Sequence, residues 1–361
     1  MKQIKKLKIN ERFNAAPLIE IPTITAEFNS VFKRACFATR NVRTLVIDKD
    51  NRDDGYRYAK ALLLAAEFEA KGLDIVASQE TRLHNGVTDS SLNGGVISLG
   101  SYDLFYSNCA PNSLYGVAIF VKKKPKSMFR DFKRFFISPR IIYCLCRCNE
   151  TRLAIFCVYA PTNSTLSSDE FENMEFFRQL VEILKSLPKG IIIIILGDFN
   201  ASLGMDIDGL WQKCKVRGPF GTAKAIDSCN GPLLLDFCVQ KHFIIADSFF
   251  DRPDKEFGTW SLPSDTIKGT NEKIYKYALD HILVSENAHQ YVKSCSVCPE
   301  LDLSSDHRAV VLEFNCPRGG KKRFKRSEIG IVTSLELPPK FQTSMIKHDV
   351  NAVSNIGVLE E

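Results

Sequence analysis

Residues 191–196 are Ile191, Ile192, Ile193, Ile194, Ile195 and Leu196, and the chain then breaks into Gly197-Asp198-Phe199-Asn200. Six consecutive apolar residues, five of them β-branched, predict a strand covered on both faces, because a half-exposed strand would alternate with polar residues. The run delivers Asp198 and Asn200 where the backbone leaves the core. An ionised carboxylate buried without a partner is costly, so Asp198 marks an edge where water, a partner group or a cation meets the sheet.

Residues 35–41 predict a first strand that ends on Asn41. Residues 56–71 carry Ala59, Leu62, Leu63 and Ala66 at helical spacing and close at Gly72, a residue suited to a helix C-cap. Residues 73–80 predict a second strand ending on Glu80, and strand, helix, strand is a βαβ signature of a layered α/β fold. A meander is expected from residues 104–106, 116–121 and 141–147. The next strand, 153–159, runs into Tyr159-Ala160-Pro161-Thr162. Residues 169–187 predict a helix with Phe171, Met174, Phe177, Leu180 and Leu184 on one face. A helix over 233–241 and strands over 277–284 and 305–314 complete the series. Residues 1–34 and 317–361 show no sustained core pattern and read as a flexible lead-in and a tail, with one domain over 35–316 between them.

Composition refines this picture only in places. Hydrophobic content of 45% and charged content of 25% are ordinary for a globular protein. No apolar run approaches the ~18 residues of a membrane span, and the basic Met1–Lys8 is not followed by an apolar segment, so neither a membrane nor a secretory signal is expected. The net charge of +6 resides in the ends: the first 34 residues carry +4 and residues 317–361 carry +3, leaving about −1 between them. The 12 cysteines read as reduced and structural. Cys144, Cys146 and Cys148 alternate along one strand face, and the C-x-x-C of Cys295 and Cys298 lacks a second pair at zinc-like spacing. Two basic stretches stand out. Residues 122–140 hold eight Lys/Arg and four Phe against Asp131 alone, which suits either a DNA backbone contact or a solvated hairpin with core Phe residues. Lys321-Lys322-Arg323-Phe324-Lys325-Arg326 suits nuclear targeting, a nucleic-acid patch or a solvated charge run.

Polar, metal-capable residues recur at the ends of expected strands: Asn41, Glu80, Asp198 with Asn200, Asp280, and Asp306 with His307. Strands ending together would gather them in one cleft. Carboxylates and amides without a Cys/His ligand set favour a hard cation such as Mg²⁺ or Mn²⁺. Phosphodiester cleavage calls for such a set: charge neutralisation at the phosphate, a carboxylate to take a proton from water, and a His to stabilise developing charge.

The pieces Arg40-Asn41-Val42-Arg43-Thr44-Leu45, Ser78-Gln79-Glu80-Thr81-Arg82, Val158-Tyr159-Ala160-Pro161-Thr162-Asn163, Leu196-Gly197-Asp198-Phe199-Asn200-Ala201, Thr259-Trp260, Leu279-Asp280-His281-Ile282-Leu283 and Ser305-Asp306-His307 occur in that order. Together they resemble the endonuclease/exonuclease/phosphatase superfamily, and within it the endonuclease domain of non-LTR retrotransposons and the craniofacial-development-protein-like sequences. The resemblance implies a DNase I-like four-layer α/β sandwich of two facing β-sheets flanked by helices. It implies Glu80, Asn41 and Asp306 as metal residues, with Asp198 as the base or orienter of water and Asn200 as a phosphate-side donor. His307 would contact the scissile phosphate, held by Asp280, and Tyr159 the phosphate or leaving group; a buried Asp280–His307 pair would raise the His pKa.

Two positions depart from many relatives: Arg40 stands where they carry Trp, and Arg43 where repair-type relatives carry an acid. Asn-Val-Arg-Thr-Leu is shared with retrotransposon members, so Arg43 marks a subfamily. His281 reads as structural. The expected activity is Mg²⁺-dependent DNA nicking by a stand-alone, truncated or domesticated retrotransposon endonuclease, since 361 residues leave no room for a reverse transcriptase. A phosphatase acting on a small-molecule or lipid phosphate and an inactive remnant remain the alternatives.

Overall fold

The computed structural model describes residues 32–317 apart from 47–57, 84–93, 110–113, 124–127, 163–166, 204–214, 222–229, 254–256, 263, 265, 267–272 and 302–304. The expected lead-in up to residue 31, the basic run Lys321–Arg326 and the rest of the tail from residue 318 lie outside the described residues. So do most of the Gly- and Lys-rich region after Asn200 and the loop around Gly269.

Two βαβ units form the frame. The first is β1 (Phe32–Asn41), α1 (Ala59–Ala70) and β2 (Ile75–Gln79). The second is β8 (Thr151–Tyr159), α2 (Ser167–Ser186) and β9 (Ile192–Asp198). Each unit supplies a parallel pair, β1 with β2 and β8 with β9, and every other paired strand is antiparallel to its neighbour. Around β1–β2 the first sheet adds β3 (Gly94–Leu99), β4 (Tyr102–Ser107), β5 (Val117–Lys122), β12 (Val292–Cys298) and β13 (Ala309–Pro317), in the order β12-β13-β1-β2-β5-β4-β3. Around β8–β9 the second adds β6 (Phe129–Ser138), β7 (Ile141–Cys148), β10 (Phe243–Ile245) and β11 (Asp280–Ser285), in the order β10-β11-β9-β8-β7-β6. A further helix, α3 (Asn230–Lys241), precedes β10.

The two sheets face each other, and helices cover their outer faces, which makes the expected four-layer α/β sandwich. β9 illustrates the alternation. Ile192, Ile194 and Leu196 join Ile155, Cys157, Ile75 and Leu312 in the core between the sheets. Ile191, Ile193 and Ile195 turn to the other side, against Phe176, Phe177 and Leu180 of α2 and Leu234 and Phe237 of α3. The first sheet's outer face packs Val76, Ala118 and Phe120 against Ala61, Leu64, Ala65 and Phe68 of α1. Among the described residues no helix is long and apolar enough to cross a membrane.

Several expectations are corrected. On α1 the stripe 59, 62, 63, 66 and the stripe 61, 64, 65, 68 fit the helical period equally well. The second is the buried one, because it carries Phe68, and Leu62 and Leu63 stand 42% and 59% exposed. On α2 Phe171 is 72% exposed. At 100° per residue, the step from Phe171 to Leu180 is half a turn beyond two full turns, so the two cannot share a face. Of the two readings of the basic stretch from Lys122, the hairpin with core Phe residues is the one seen: the stretch contains β6, the edge strand of the second sheet, which pairs with β7 and buries Phe129 in the inter-sheet core. The strand is interrupted by register shifts between Arg130 and Lys133 and between Phe136 and Ser138. Phe135 stacks on Tyr143, which stacks on Phe156. Exposed Lys133 and Arg134 together with bulges are how an edge strand resists pairing with another chain. β3 and β12 were not expected at all.

The ten described cysteines are free thiols. Cys144, Cys146 and Cys148 share the inter-sheet core, as their spacing predicts. Cys295 and Cys298 are three apart on β12 and face opposite sides of the sheet, Cys295 into the inter-sheet core and Cys298 towards the α1 side.

Candidate active site

The carboxyl ends of both parallel pairs open at one end of the sandwich. Asn41 ends β1 and Glu80 follows β2, whereas Tyr159 ends β8 and Asp198 ends β9. Asp198 has the parity of Ile192, Ile194 and Leu196, so its side chain enters the space between the sheets. Asp280, the first residue of β11, lies directly across the ladder from it.

Asn41 joins the two sheets. Its Nδ2 donates to Glu80 Oε1 at 2.9 Å and to Asp198 Oδ2 at 3.0 Å, and its Oδ1 accepts from the Arg43 amide at 2.9 Å. Glu80 also accepts from Tyr159 OH at 3.1 Å and, at Oε2, from Arg82 Nη2 at 3.0 Å. Burial, with Asp198 and Glu80 close by, pushes the Tyr159 hydroxyl far above its ordinary range, so it stays a donor. Arg140 donates to the Tyr159 carbonyl at 3.4 Å and stacks over the rings of Tyr115 and Tyr159.

Opposite this corner, His307 Nδ1 donates to Asp280 Oδ2 at 2.8 Å, and its Nε2 lies 4.0 Å from Asp198 Oδ2. Burial alone would lower the His307 pKa. The field of Asp280, their hydrogen bond and the nearby Asp198 outweigh it and raise the pKa to about 9. Asp198 is pushed up by burial and by Asp280. His307, the Asn41 amide and the Asn200 backbone N–H at 2.9 Å from its Oδ1 oppose that rise. Ligand atoms of Asp198, Asp280 and His307 all lie within 4.8 Å of one another, the one such trio of acidic, His or Cys groups among the described residues.

Glu80 and Asp306 lie outside that trio. Asp306 is 3.7 Å from Arg43 Nε, and its Oδ1 is buried without a hydrogen-bond partner. Asn200 Nδ2 donates to the Ala160 carbonyl at 2.9 Å, an anchoring bond in this structure. Arg43, Glu80, Arg82 and Asn200 all have positive φ, between 46° and 62°, as do Asp131, Asn149, Lys215 and His242 outside the site. Arg40, in place of the relatives' Trp, is fully buried and pairs with Glu67 of α1 at 3.2 Å.

Family-scale comparison matches residues 39–307 to the "Endonuclease/Exonuclease/phosphatase family". The chain belongs to the endonuclease/exonuclease/phosphatase family. Among curated relatives it is 23% identical to craniofacial development protein 2 of Tragulus javanicus over 306 residues, which cover 84% of this chain and 46% of that protein. The same protein of Bos taurus is 26% identical over 248 residues, covering 67% and 38%. The chain thus spans less than half the length of these relatives. The catalytic domain of Xenopus laevis APE2 superposes with a TM-score of 0.55 at 18% identity, covering 80% of this chain and 94% of that one. The family fold is therefore the DNase I-like sandwich that the motifs implied.

Within this family member, three supporting residues are given no role by the motifs themselves. Ser305 Oγ donates to the Asn41 carbonyl at 2.7 Å and accepts from the His307 amide at 3.0 Å, tying β1 to the His307 segment. Thr259 Oγ1 accepts from the Leu279 and Asp280 amides at 3.0 and 3.2 Å, fixing the start of β11. Asp247, in the turn after β10, lies 3.0 Å from His281 Nδ1. Ser305 and Thr259 sit inside recognisable motifs, so their neighbours signalled them. Asp247 meets its partner across 34 residues, and no local pattern announces it.

Proposed function

We propose that this chain is a divalent-metal-dependent DNA endonuclease of retrotransposon descent that nicks a strand by water attack on a phosphodiester. The observation that carries the reading is the convergence of the Asp280–His307 pair and the Asn41–Glu80–Tyr159 cluster on one buried carboxylate, Asp198. In this reading Asp198, whose pKa is raised, accepts the proton of the attacking water, since a base works best with a pKa near the operating pH. His307, kept cationic by Asp280, donates from Nε2 to a phosphate oxygen as charge builds there. Tyr159 donates to the phosphate or leaving oxygen, and Asn200 lies on the phosphate side.

The donor set fits a hard cation. It is made of oxygens; Glu80 uses three of roughly four lone-pair directions on protein donors, and Asp306 Oδ1 accepts no hydrogen bond and faces Arg43 Nε at 3.7 Å. Glu80, with Asn41 hydrogen-bonded to it and with Asp306 as a third residue, would hold Mg²⁺ or Mn²⁺. Such an ion supplies neutralisation of the phosphate charge. A nuclear location, which the Lys321–Arg326 run suits, is part of the proposal.

Supercoiled plasmid incubated with the purified protein and Mg²⁺ tests the reading. Relaxed circles that disappear with EDTA and with His307→Ala are the expected result. Intact plasmid with folded, metal-supplied protein would refute it, and phosphate release from inositol phosphates under the same conditions would point to a phosphatase instead.

A further inference from the structure

Asp280 and His281 are consecutive on β11, so the two-residue period of the strand turns them to opposite faces of the sheet. Asp280 faces the substrate side and pairs with His307. His281 faces the helix side, fully buried, and pairs with Asp247. The sheet thus carries two carboxylate–imidazole pairs back to back, and only the front one enters the mechanism proposed above.

The back pair has a target of its own. His281 Nε2 lies 2.9 Å from the carbonyl oxygen of Ala201, and its Nδ1 3.0 Å from Asp247 Oδ2. A carbonyl oxygen can only accept, so Nε2 is a donor here. Asp247 is itself fixed, its Oδ1 accepting from the Ile282 amide at 3.3 Å and its backbone carbonyl from Arg252 Nη2 at 2.8 Å. Ala201 closes the turn that begins at Asp198 and passes through Asn200 in the left-handed region, at φ 46°. Asn adopts this region readily, and the turn is held both from within, by the Asn200 amide on Asp198 Oδ1, and from outside. The Phe199 carbonyl takes Asn230 Nδ2 at 3.1 Å, and the Phe199 amide donates to the Leu279 carbonyl at 3.0 Å. The buried Ala201 carbonyl is served by His281.

We propose that His281, held by Asp247, is a positioning residue that clamps the turn of residues 198–202 from the face opposite the substrate and so fixes the direction of the Asp198 carboxylate. The inference rests on the nuclease reading for its catalytic consequence, whereas the clamp itself rests on the hydrogen bonds alone. His281 touches neither substrate nor water in this role.

The test compares the full chain with His281→Phe, which keeps an aromatic ring and removes both hydrogen bonds, His281→Gln, which keeps a donor for Ala201, and Asp247→Asn. Steady-state nicking of plasmid is measured alongside amide exchange at Asn200, whose N–H reports on the Asp198 carboxylate. The expected result for His281→Phe is a fall in kcat of roughly tenfold, the scale of a lost buried hydrogen bond, with half-saturating DNA unchanged. Asn200 should exchange faster, and His281→Gln should recover part of both losses. A folded His281→Phe protein with unaltered kcat and unaltered Asn200 exchange would overturn the clamp. Should His281→Phe fail to fold, Asp247→Asn carries the same comparison. If the unaltered protein does not nick DNA, the nuclease reading fails by itself, and exchange at Asn200 still decides for or against the clamp.

Discussion

The two βαβ units deliver the same kind of residue to the same place in different states. The first unit ends at Glu80, whose side chain keeps 17% exposure and gathers donors from Asn41, Tyr159 and Arg82. The second ends at Asp198, which is 1% exposed, stands across from another carboxylate and has its pKa raised. A carboxylate at a wet rim stays available to a cation. A carboxylate sealed beside a second one is poised to take up a proton. The topology is repeated, and burial sets the two carboxylates apart.

Exchanging Asp198 for Asn should separate the two most sharply. The loss of a positioned base predicts a fall in kcat of about 10²–10⁴, read from single-turnover nicking at saturating metal, and no amount of added metal should restore it. Glu80→Gln should behave differently. The rate at a fixed low Mn²⁺ concentration should fall by at least about tenfold, the scale seen when groups that support a metal are altered, and raising Mn²⁺ should recover much of it.

Asp280→Asn sharpens the buried side of the comparison through pH. In the folded protein His307 titrates at about 9, above its ordinary 6.5. Its pair therefore contributes stability that is fully present below pH 6.5 and is lost as pH rises through 9. The contribution is at most about 3 kcal/mol. Urea unfolding in EDTA across pH 6 to 10 should show this decline, and Asp280→Asn should flatten it. Arg82→Gln carries the smallest expected effect. It releases Glu80 Oε2 from a partly exposed ion pair, so the Mn²⁺ concentration giving half-maximal nicking should drop by about two- to fivefold.

Most of the site was legible because strand and chemistry share a signal. An apolar run that ends abruptly at Gly197-Asp198 shows both the strand and the residue it presents. Order along the chain then links the pieces, and the family's fold follows. What was not legible depends on distance or on competing patterns. Asp247 reaches His281 across 34 residues. The buried stripe of α1 was one of two equally periodic choices, and only the sheet beneath it selects Phe68. β12 alternates small and polar residues, Val292-Lys293-Ser294-Cys295-Ser296-Val297-Cys298, and looks like a loop until β13 pairs with it.

Calorimetric titration of Mn²⁺ into the unaltered protein, Glu80→Gln and Asp198→Asn tests the central claim most directly, that one unit binds the cation and the other handles the proton. Glu80→Gln should weaken Mn²⁺ binding by at least about tenfold, and Asp198→Asn should leave it nearly unchanged although it slows nicking by about 10²–10⁴. Weakened binding in Asp198→Asn with normal binding in Glu80→Gln would contradict that claim.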